Sequence, residues 1–173
     1  MAEQLWYFWL YSFLGYLLEK VFAWRTHAAQ QVRKCCWLLP LCPVYGLGMV
    51  AVLNLPAAVR NSLWLPLVGG ILATVVEYAM HWYYDVALGV RFWDYSAVRG
   101  NLHGRVCPVF SLAWGLLTAF AVWFLQPWIA VLAAEIQWRV TYTMLLLFTA
   151  DALCAACILR MTGDVEALRL MER

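Results

Sequence analysis

Five long apolar runs dominate the chain and limit what it can fold into. They cover residues 5–24, 36–58, 63–89, 106–125 and 141–159. A helix that crosses a bilayer needs about 20 mostly apolar residues. The chain is 65% hydrophobic and only 13% charged, whereas a soluble domain is about 45–50% apolar. The sequence therefore predicts an all-α integral membrane protein with five transmembrane helices, built as a single polytopic domain over residues 1–173.

Two segments affect how many helices are expected to span the membrane in the mature protein. Residues 127–138 read PWIAVLAAEIQW, which is short for a span and contains Glu135. This composition predicts an interfacial or re-entrant segment. The first run follows Glu3 without a basic start or a small-residue cleavage site. We therefore expect it to be kept in the mature protein rather than removed as a signal peptide.

Lysine and arginine are distributed unevenly between the two ends of the predicted spans, and this bias predicts orientation because cytoplasmic loops carry the excess. Only Arg60 and Arg139 fall on one side. The other side carries Lys20, Arg25, Arg33, Lys34, Arg91, Arg99, Arg105, Arg160, Arg169 and Arg173. This distribution predicts an outside N-terminus and a cytoplasmic C-terminus, which agrees with an odd number of spans.

Several function classes find no support in the sequence. The net charge is +2, and no basic tract suggests nucleic acid. No phosphate-binding loop, zinc-protease motif or serine-nucleophile elbow is present. Of the six cysteines, Cys154 and Cys157 have C-x-x-C spacing within a predicted helix. Without a second pair, this spacing favours packing over a metal or redox site, and we expect no cofactor, no metal and no disulfide framework.

A Cys-Pro-Val-aromatic motif occurs twice, at residues 42–45 and 107–110. When Glu19 is aligned with Asp85, Arg25 aligns with Arg91, and the motifs align after one residue is dropped. This correspondence predicts a parallel repeat of a two-helix unit, with a site at the repeat interface. The alternative is that any basic loop between two spans looks like this. Proline at a helix start is common for ordinary reasons.

Five ionisable side chains fall within the predicted spans, where each costs about 2.5–3.5 kcal/mol at the bilayer centre. They are Glu19, Glu77, His81, Asp85 and Asp151. Glu77, His81 and Asp85 are four residues apart in succession, so a helix places them on one face. This face must point to protein or to water rather than to lipid.

The sequence suggests specific partners for these groups. We expect Asp151 to pair with His81 or Glu77 across the bundle, and Glu19 and Asp85 to face one another near the cytoplasmic end. Two interpretations stay open. The groups form a substrate or proton site, or they hold helices together through hydrogen bonds of about 0.6 kcal/mol each. Metal binding is a weaker third interpretation, because one histidine with carboxylates is a generic set.

The loop at residues 92–105 reads FWDYSAVRGNLHGR and mixes aromatic, acidic and basic side chains. We expect Asp94 to cap a turn through Ser96 or through its own backbone. Arg99 and Arg105 either neutralise acids or bind lipid phosphate. The alternative is a structured interfacial loop without a binding role.

Several motifs occur in an order that resembles a known bacterial family. In chain order they are YSFLGYLLEKVF (11–22), PLCPVYGLG (40–48), Thr74 with Glu77, FWDYS (92–96), NLHGRVC (101–107), SLAWGLL (111–117) and Asp151. The chain resembles the CmpB-like membrane proteins labelled ABC-transporter type IV over almost its whole length. The resemblance implies a five-helix inner-membrane protein of permease type. Its characteristic positions correspond here to Glu19, Pro43, Tyr45, Gly46, Glu77, Trp93, Asp94, Tyr95, Ser96, Asn101, Gly104, Trp114 and Gly115.

The chain departs from that family pattern in two places. Cys36-Trp37-Leu38 stands where the family has a Gly-Phe-Leu-like approach to the first Cys-Pro. The family also often has Glu in place of Asp85 and a small residue in place of His81. The polar face at residues 77–85 can therefore be particular to this protein.

These observations favour a membrane permease, or a solute-binding subunit of a transporter, in the bacterial inner membrane. An ATP-driven role would need a separate ATPase subunit, and a pore from five helices would require a homo-oligomer. The alternatives are a scaffold or regulatory subunit and an intramembrane lipid-modifying enzyme. The predicted binding residues are Glu19, Tyr45, Glu77, His81, Asp85, Asp94, Tyr95, Asn101, Arg105 and Asp151.

Overall fold

A computed structural model describes residues 2–26 and 34–169. The α-helices are α1 (Ala2–Thr26), α2 (Pro43–Leu53), α3 (Ala57–Arg60), α4 (Leu65–Tyr83), α5 (Pro108–Phe120), α6 (Gln126–Ala134) and α7 (Trp138–Thr162). Short π-helical turns follow α4 at Tyr84–Leu88 and α5 at Ala121–Leu125, and a 3₁₀ turn covers Val165–Leu168. No β-strand occurs within the described ranges. The prediction of an all-α fold is confirmed.

Three continuous helices are long and apolar enough to cross a membrane: Leu65–Leu88, Pro108–Ala134 and Trp138–Thr162. The prediction of five spans is therefore wrong. Helix α1 has 25 residues, but its sequence is less apolar because it contains Glu19, Lys20 and many Trp and Tyr side chains. The orientation relative to the membrane stays a prediction, and two of its supporting charges, Arg33 and Arg173, lie outside the described residues.

The second predicted span is divided rather than continuous. Residues 35–42 are not helical, and α2 has only 11 residues before its C-cap at Asn54. Proline explains both limits. Pro40 and Pro43 lack the backbone N–H that a helix continuing through them would need. Pro56 then separates α2 from the short helix α3.

The segment at residues 127–138 is not separate from the fourth predicted span. Most of it, up to Ala134, continues α5 through the π turn into α6, giving one helical segment of 27 residues, Pro108–Ala134. Its position relative to the membrane stays a prediction. Pro127 lies at the start of α6, directly after the π turn. A π turn changes the hydrogen-bond register locally, so that the helix accommodates proline there. Glu135 caps the end of α6.

Both Cys-Pro pairs begin helices. Cys42 and Cys107 are N-caps in extended conformation, and Pro43 and Pro108 follow in the first turns of α2 and α5. Each of these helices packs closely on the helix before it, α2 on α1 and α5 on α4. The local likeness of the two units agrees with the predicted repeat, whose parallel arrangement in the membrane stays a prediction.

Glycine sets the distance between α4 and α5. A methyl group placed on Gly70 would lie 2.9 Å from the Cα atom of Gly115. A methyl group on Gly115 would meet the backbone carbonyl oxygen of Pro66. The two backbones therefore approach more closely than side chains would permit. Helix α7 packs less extensively and contacts α1, the π turn after α4 and the C-terminal 3₁₀ turn.

Candidate functional site

The polar face of α4 is covered by the segment at residues 89–107, which we call the covering loop. The three predicted polar residues each contact it: Glu77 and His81 on α4, and Asp85 in the π turn that follows α4. The Tyr95 hydroxyl donates to Glu77 Oε1 at 3.1 Å. His81 Nε2 donates to a backbone carbonyl of the loop at 3.0 Å, and Asp85 Oδ2 accepts from Arg105 Nη2 at 3.0 Å. Glu77 and His81 are buried. The polar face therefore points to protein.

Asp94 organises the first turn of the covering loop, as the sequence predicts. Its Oδ1 accepts from the backbone N–H of Ser96 at 2.8 Å and from the Ser96 hydroxyl at 2.5 Å. These bonds stabilise the charged carboxylate and lower the pKa of Asp94. Gly104 lies against this turn with a φ of 69°, and a methyl group there would meet Ser96 Oγ. A residue without a side chain is therefore required at position 104.

Asn101 connects the two halves of the covering loop. Its Nδ2 donates to the carbonyl oxygen of Val98 at 2.8 Å, and its Oδ1 accepts from the N–H of Gly104 at 2.8 Å. The indole of Trp93 donates to the carbonyl oxygen of Arg105 at 3.0 Å. Asn101, which the sequence predicts to bind a ligand, here stabilises the conformation of the loop.

An ion-pair network joins the covering loop to the end of α4. Asp85 Oδ1 accepts from Arg91 Nε at 2.8 Å, and Arg105 Nη1 donates to the Tyr78 hydroxyl at 3.0 Å. The Asp85 carboxylate raises the pKa of Arg91 and of Arg105. Arg105 therefore neutralises an acid, which is one of its two predicted roles. Asp85 pairs with these two arginines, whereas Glu19 accepts a hydrogen bond from the Tyr45 hydroxyl. These contacts take the place of the predicted arrangement in which Glu19 and Asp85 face one another.

We expect Asp94→Ala to loosen the covering loop, because the turn loses its only side-chain acceptor for the two Ser96 donors. Trypsin should cleave after the exposed Arg99 about threefold to tenfold faster in detergent, since cleavage requires local opening. Asp94→Asn keeps an amide oxygen at the same place and should change the rate less than twofold. Cleavage after Arg160, in α7, provides the internal reference. Equal rates for all three proteins would show that the turn does not depend on Asp94.

A cavity of about 360 Å³ lies between α1, α2, α4, α5 and the covering loop, and we call it the Glu77 cavity. Two carboxylates border it, Glu19 from α1 and Glu77 from α4. The Tyr45 hydroxyl donates to Glu19 Oε1 at 2.7 Å. Of the predicted binding residues, Glu19, Tyr45, Glu77 and Tyr95 meet at this cavity.

Glu77 is the most constrained acid of the cavity wall. Its residue is only 3% exposed, and Oε1 accepts from Tyr95. The second oxygen, Oε2, is buried and has no partner of hydrogen-bond geometry in the described part of the chain. Trp114 lies beside this carboxylate, but its indole is not within hydrogen-bond geometry of Oε2. A buried acceptor without a full set of donors is costly and indicates that something else completes the site.

Aromatic rings form most of the remaining wall. The Tyr45 and Trp114 rings have centroids 4.8 Å apart, and the Tyr95 and Phe110 rings stack at 4.8 Å. Phe22, Phe92 and Trp93 also border the cavity. Leu18 and Phe22 of α1 are part-exposed, so the cavity meets the surface along this helix.

A second, smaller cavity of about 180 Å³ adjoins the first. Leu18, Tyr45, Trp114 and Leu117 border both. The lining of the smaller cavity is almost entirely apolar, with residues such as Leu14, Met49 and Ala73. The two cavities together form a cleft with a polar end at Glu77 and an apolar end.

Asp151 does not take part in this site. It is buried on α7 and accepts from three consecutive backbone N–H groups, those of Trp37, Leu38 and Leu39, at 3.0, 2.8 and 2.7 Å. The predicted pairing of Asp151 with His81 or Glu77 is wrong. The physical reason is that the non-helical residues 35–42 expose backbone donors, which satisfy a buried carboxylate well.

Part of the cavity wall is not among the binding residues that the sequence predicts. Trp93 and Trp114 border the cavity, and the family resemblance implies both as characteristic positions. The buried thiols of Cys35 and Cys42 also border the cavity, and the available signal was the Cys-Pro motif at the start of α2. All six cysteines are free thiols, and Cys154 and Cys157 are exposed on α7 rather than packed in the interior.

The fold and the cleft define the class of protein: an all-α protein with three membrane-length helices and a partly acidic cavity between its helices. The chain belongs to the family described as "Putative ABC-transporter type IV", whose model matches residues 6–158. The family resemblance seen in the sequence is thereby confirmed. No curated protein and no solved structure matches the chain. The chain is therefore an ABC-transporter-related membrane protein.

Proposed function

We propose that the chain is a membrane permease or the solute-binding subunit of a transporter, and that the Glu77 cavity is its binding site. The observation that supports this proposal most is the position of Glu77, whose Oε2 is buried at a cavity of about 360 Å³ without a hydrogen-bond partner in the described chain. Ligand cavities are commonly of about 300–1,000 Å³, with apolar walls and a few placed polar groups.

The predicted residues divide into two roles under this proposal. Glu19, Tyr45, Glu77 and Tyr95 face the solute. His81, Asp85, Asp94, Asn101 and Arg105 shape the covering loop that closes one side of the cavity. Asp151 supports the segment that carries Cys35 and Cys42. The loop residues are positioning residues, and their loss should weaken binding through Tyr95 and Trp93.

The family supports a transporter context, and the sequence has no phosphate-binding loop of its own. We therefore propose a separate ATPase subunit as the source of energy, in the bacterial inner membrane. The covering loop and the residue 34–42 segment belong to the side that the charge distribution predicts to be cytoplasmic, which is where such a subunit would bind.

A cavity-filling variant tests whether the site binds a solute. We expect small solutes that raise the melting temperature of the purified chain in detergent to lose this effect in Ala113→Trp, because Ala113 borders the Glu77 cavity. Leu112→Trp is the matched control, since Leu112 is the neighbouring residue of α5 and is exposed like Ala113 but does not border the cavity. A solute screen in which the two variants always respond alike would contradict the proposal and favour a scaffold role.

A further inference from the structure

We infer that the ligand of the Glu77 cavity is an organic cation with a substituted ammonium group and an apolar body. This inference rests on the proposed function, because it names the chemical class bound at the same site. The evidence is the charge of the cavity wall, the missing partner of Glu77, the aromatic rings and the adjoining apolar cavity.

The described residues of the Glu77 cavity wall include two carboxyl groups, Glu19 and Glu77, and no Lys, Arg or His. Glu19 has partners of its own, among them the Tyr45 hydroxyl, so Glu77 is the carboxyl group that a ligand would pair with. Glu77 itself has no ion-pair partner in residues 2–26 and 34–169. A buried carboxyl group stays ionised only when it is paired or fully hydrogen-bonded, so a cationic ligand is the partner that would hold Glu77 in its charged form.

The nearby guanidinium groups are held away from Glu77. Arg105 donates to Asp85 and to Tyr78, and Arg91 donates to the other oxygen of Asp85. Asp85 lies in the π turn after α4, about two helical turns from Glu77. The protein therefore uses its local arginines for Asp85 and leaves the position beside Glu77 Oε2 to a ligand.

The aromatic rings of the wall favour an organic over an inorganic cation. Trp93, Trp114, Tyr45 and Tyr95 border the cavity together with Glu77. Ring faces attract ammonium groups by cation–π interaction, and rings of this kind recognise quaternary ammonium ligands. A metal ion would need several oxygen, nitrogen or sulfur ligands, and the described residues contain no cluster of three or more suitable side chains.

The adjoining cavity explains where an apolar body would lie. It continues from the Glu77 cavity past Tyr45 and Trp114 and is bordered mainly by aliphatic and aromatic side chains. A ligand with its ammonium group beside Glu77 would therefore place its hydrocarbon part between α1, α2 and α5. Burial of that part adds affinity without any further polar contact.

Three probes of similar size separate charge from shape: phenyltrimethylammonium, its neutral isostere tert-butylbenzene, and the anion benzenesulfonate. We expect only phenyltrimethylammonium to give a saturable rise in the melting temperature of the full chain in detergent. Glu77→Gln should weaken this binding at least tenfold. Trp114→Leu should weaken it about threefold to thirtyfold, and Trp114→Phe less, because phenylalanine keeps a ring face. The tryptophan pair keeps the test decisive if Glu77→Gln does not fold.

The outcomes distinguish the ligand class from the proposed function. If tert-butylbenzene or benzenesulfonate binds as well as the cation, and Ala113→Trp abolishes that binding, the cavity is a binding site and the cation inference is overturned. The same holds if Glu77→Gln and Trp114→Leu leave phenyltrimethylammonium binding unchanged. If neither these probes nor any screened solute responds to Ala113→Trp, the proposed function fails together with the inference.

Discussion

Replacing Asp151 with alanine is expected to lower the free energy of unfolding by about 3 kcal/mol, one of the two largest effects that we predict. Asp151 is 5% exposed, and its two carboxylate oxygens accept from the N–H groups of Trp37, Leu38 and Leu39. Alanine removes all three charge-assisted bonds and leaves the donors without an acceptor. Reversible unfolding in mixed detergent micelles measures the difference.

Two variants show whether the number of bonds causes this effect. Asp151→Asn keeps one acceptor oxygen but adds an N–H group that faces the backbone donors, so about half of the loss is expected. Asp164→Ala removes an exposed carboxylate that accepts from one backbone N–H, that of Glu166, at 2.9 Å. Its cost should stay within about 1 kcal/mol. If Asp151→Ala costs no more than Asp164→Ala, the three bonds do not stabilise the fold.

The second large effect is expected for Gly46→Ala, which should destabilise the chain by about 2 kcal/mol. Gly46 is the fourth residue of α2, a helix that packs on α1. A methyl group there would meet the backbone carbonyl oxygen of Phe8 and the hydroxyl of Ser12, and would lie 2.7 Å from a ring carbon of Phe8. Because a backbone atom cannot rotate away, α1 and α2 would have to separate.

Gly48→Ala is the matched control, since Gly48 lies two residues away in the same helix. A methyl group there would lie 3.9 Å from the Cβ atom of Ala73, which is ordinary contact. Alanine favours helix over glycine by about 1 kcal/mol, so this variant should be as stable as the parent or slightly more stable. Equal destabilisation by the two variants would show that glycine is needed in α2 for another reason than close packing.

Both large effects concern the frame of the proposed site. Asp151 holds residues 37–39, which lie between Cys35 and Cys42 in the cavity wall. Gly46 is next to Tyr45, whose hydroxyl contacts Glu19. We therefore expect Gly46→Ala to weaken ligand binding as well as stability.

Features with a short-range cause could be predicted from the sequence. Hydrophobic runs identified helices at α1, α4, α5 and α7 because burial of apolar surface depends on composition and length alone. The spacing of Glu77, His81 and Asp85 predicted that this face avoids lipid, because helical periodicity places residues four apart side by side. The turn at Asp94 could be predicted because it depends on Asp94 and Ser96 alone, which are two residues apart. The motif order identified the family over residues 6–158.

The wrong predictions share another cause. Residues 36–58 read as one apolar run, yet Pro40, Pro43 and the backbone donors at residues 37–39 divide it. The pattern of side chains does not show which backbone N–H groups lack a partner in a helix. The partners of Asp151, which are such N–H groups, could therefore not be predicted from the sequence. The continuation of α5 into α6 likewise depends on a π turn, which has no clear sequence signal.

The sequence by itself determined that this chain is helical and membrane-embedded, and that acids on α1 and α4 need protection from lipid. Only the tertiary structure decided which acids meet. The helix crossings at Gly46 and Gly115 set how closely the backbones approach. With these distances, Glu19 and Glu77 border one cavity. Asp85 is instead paired with two arginines, and Asp151 accepts hydrogen bonds from backbone N–H groups. Such pairings depend on contacts between residues far apart in the chain, and local periodicity contains no information about them.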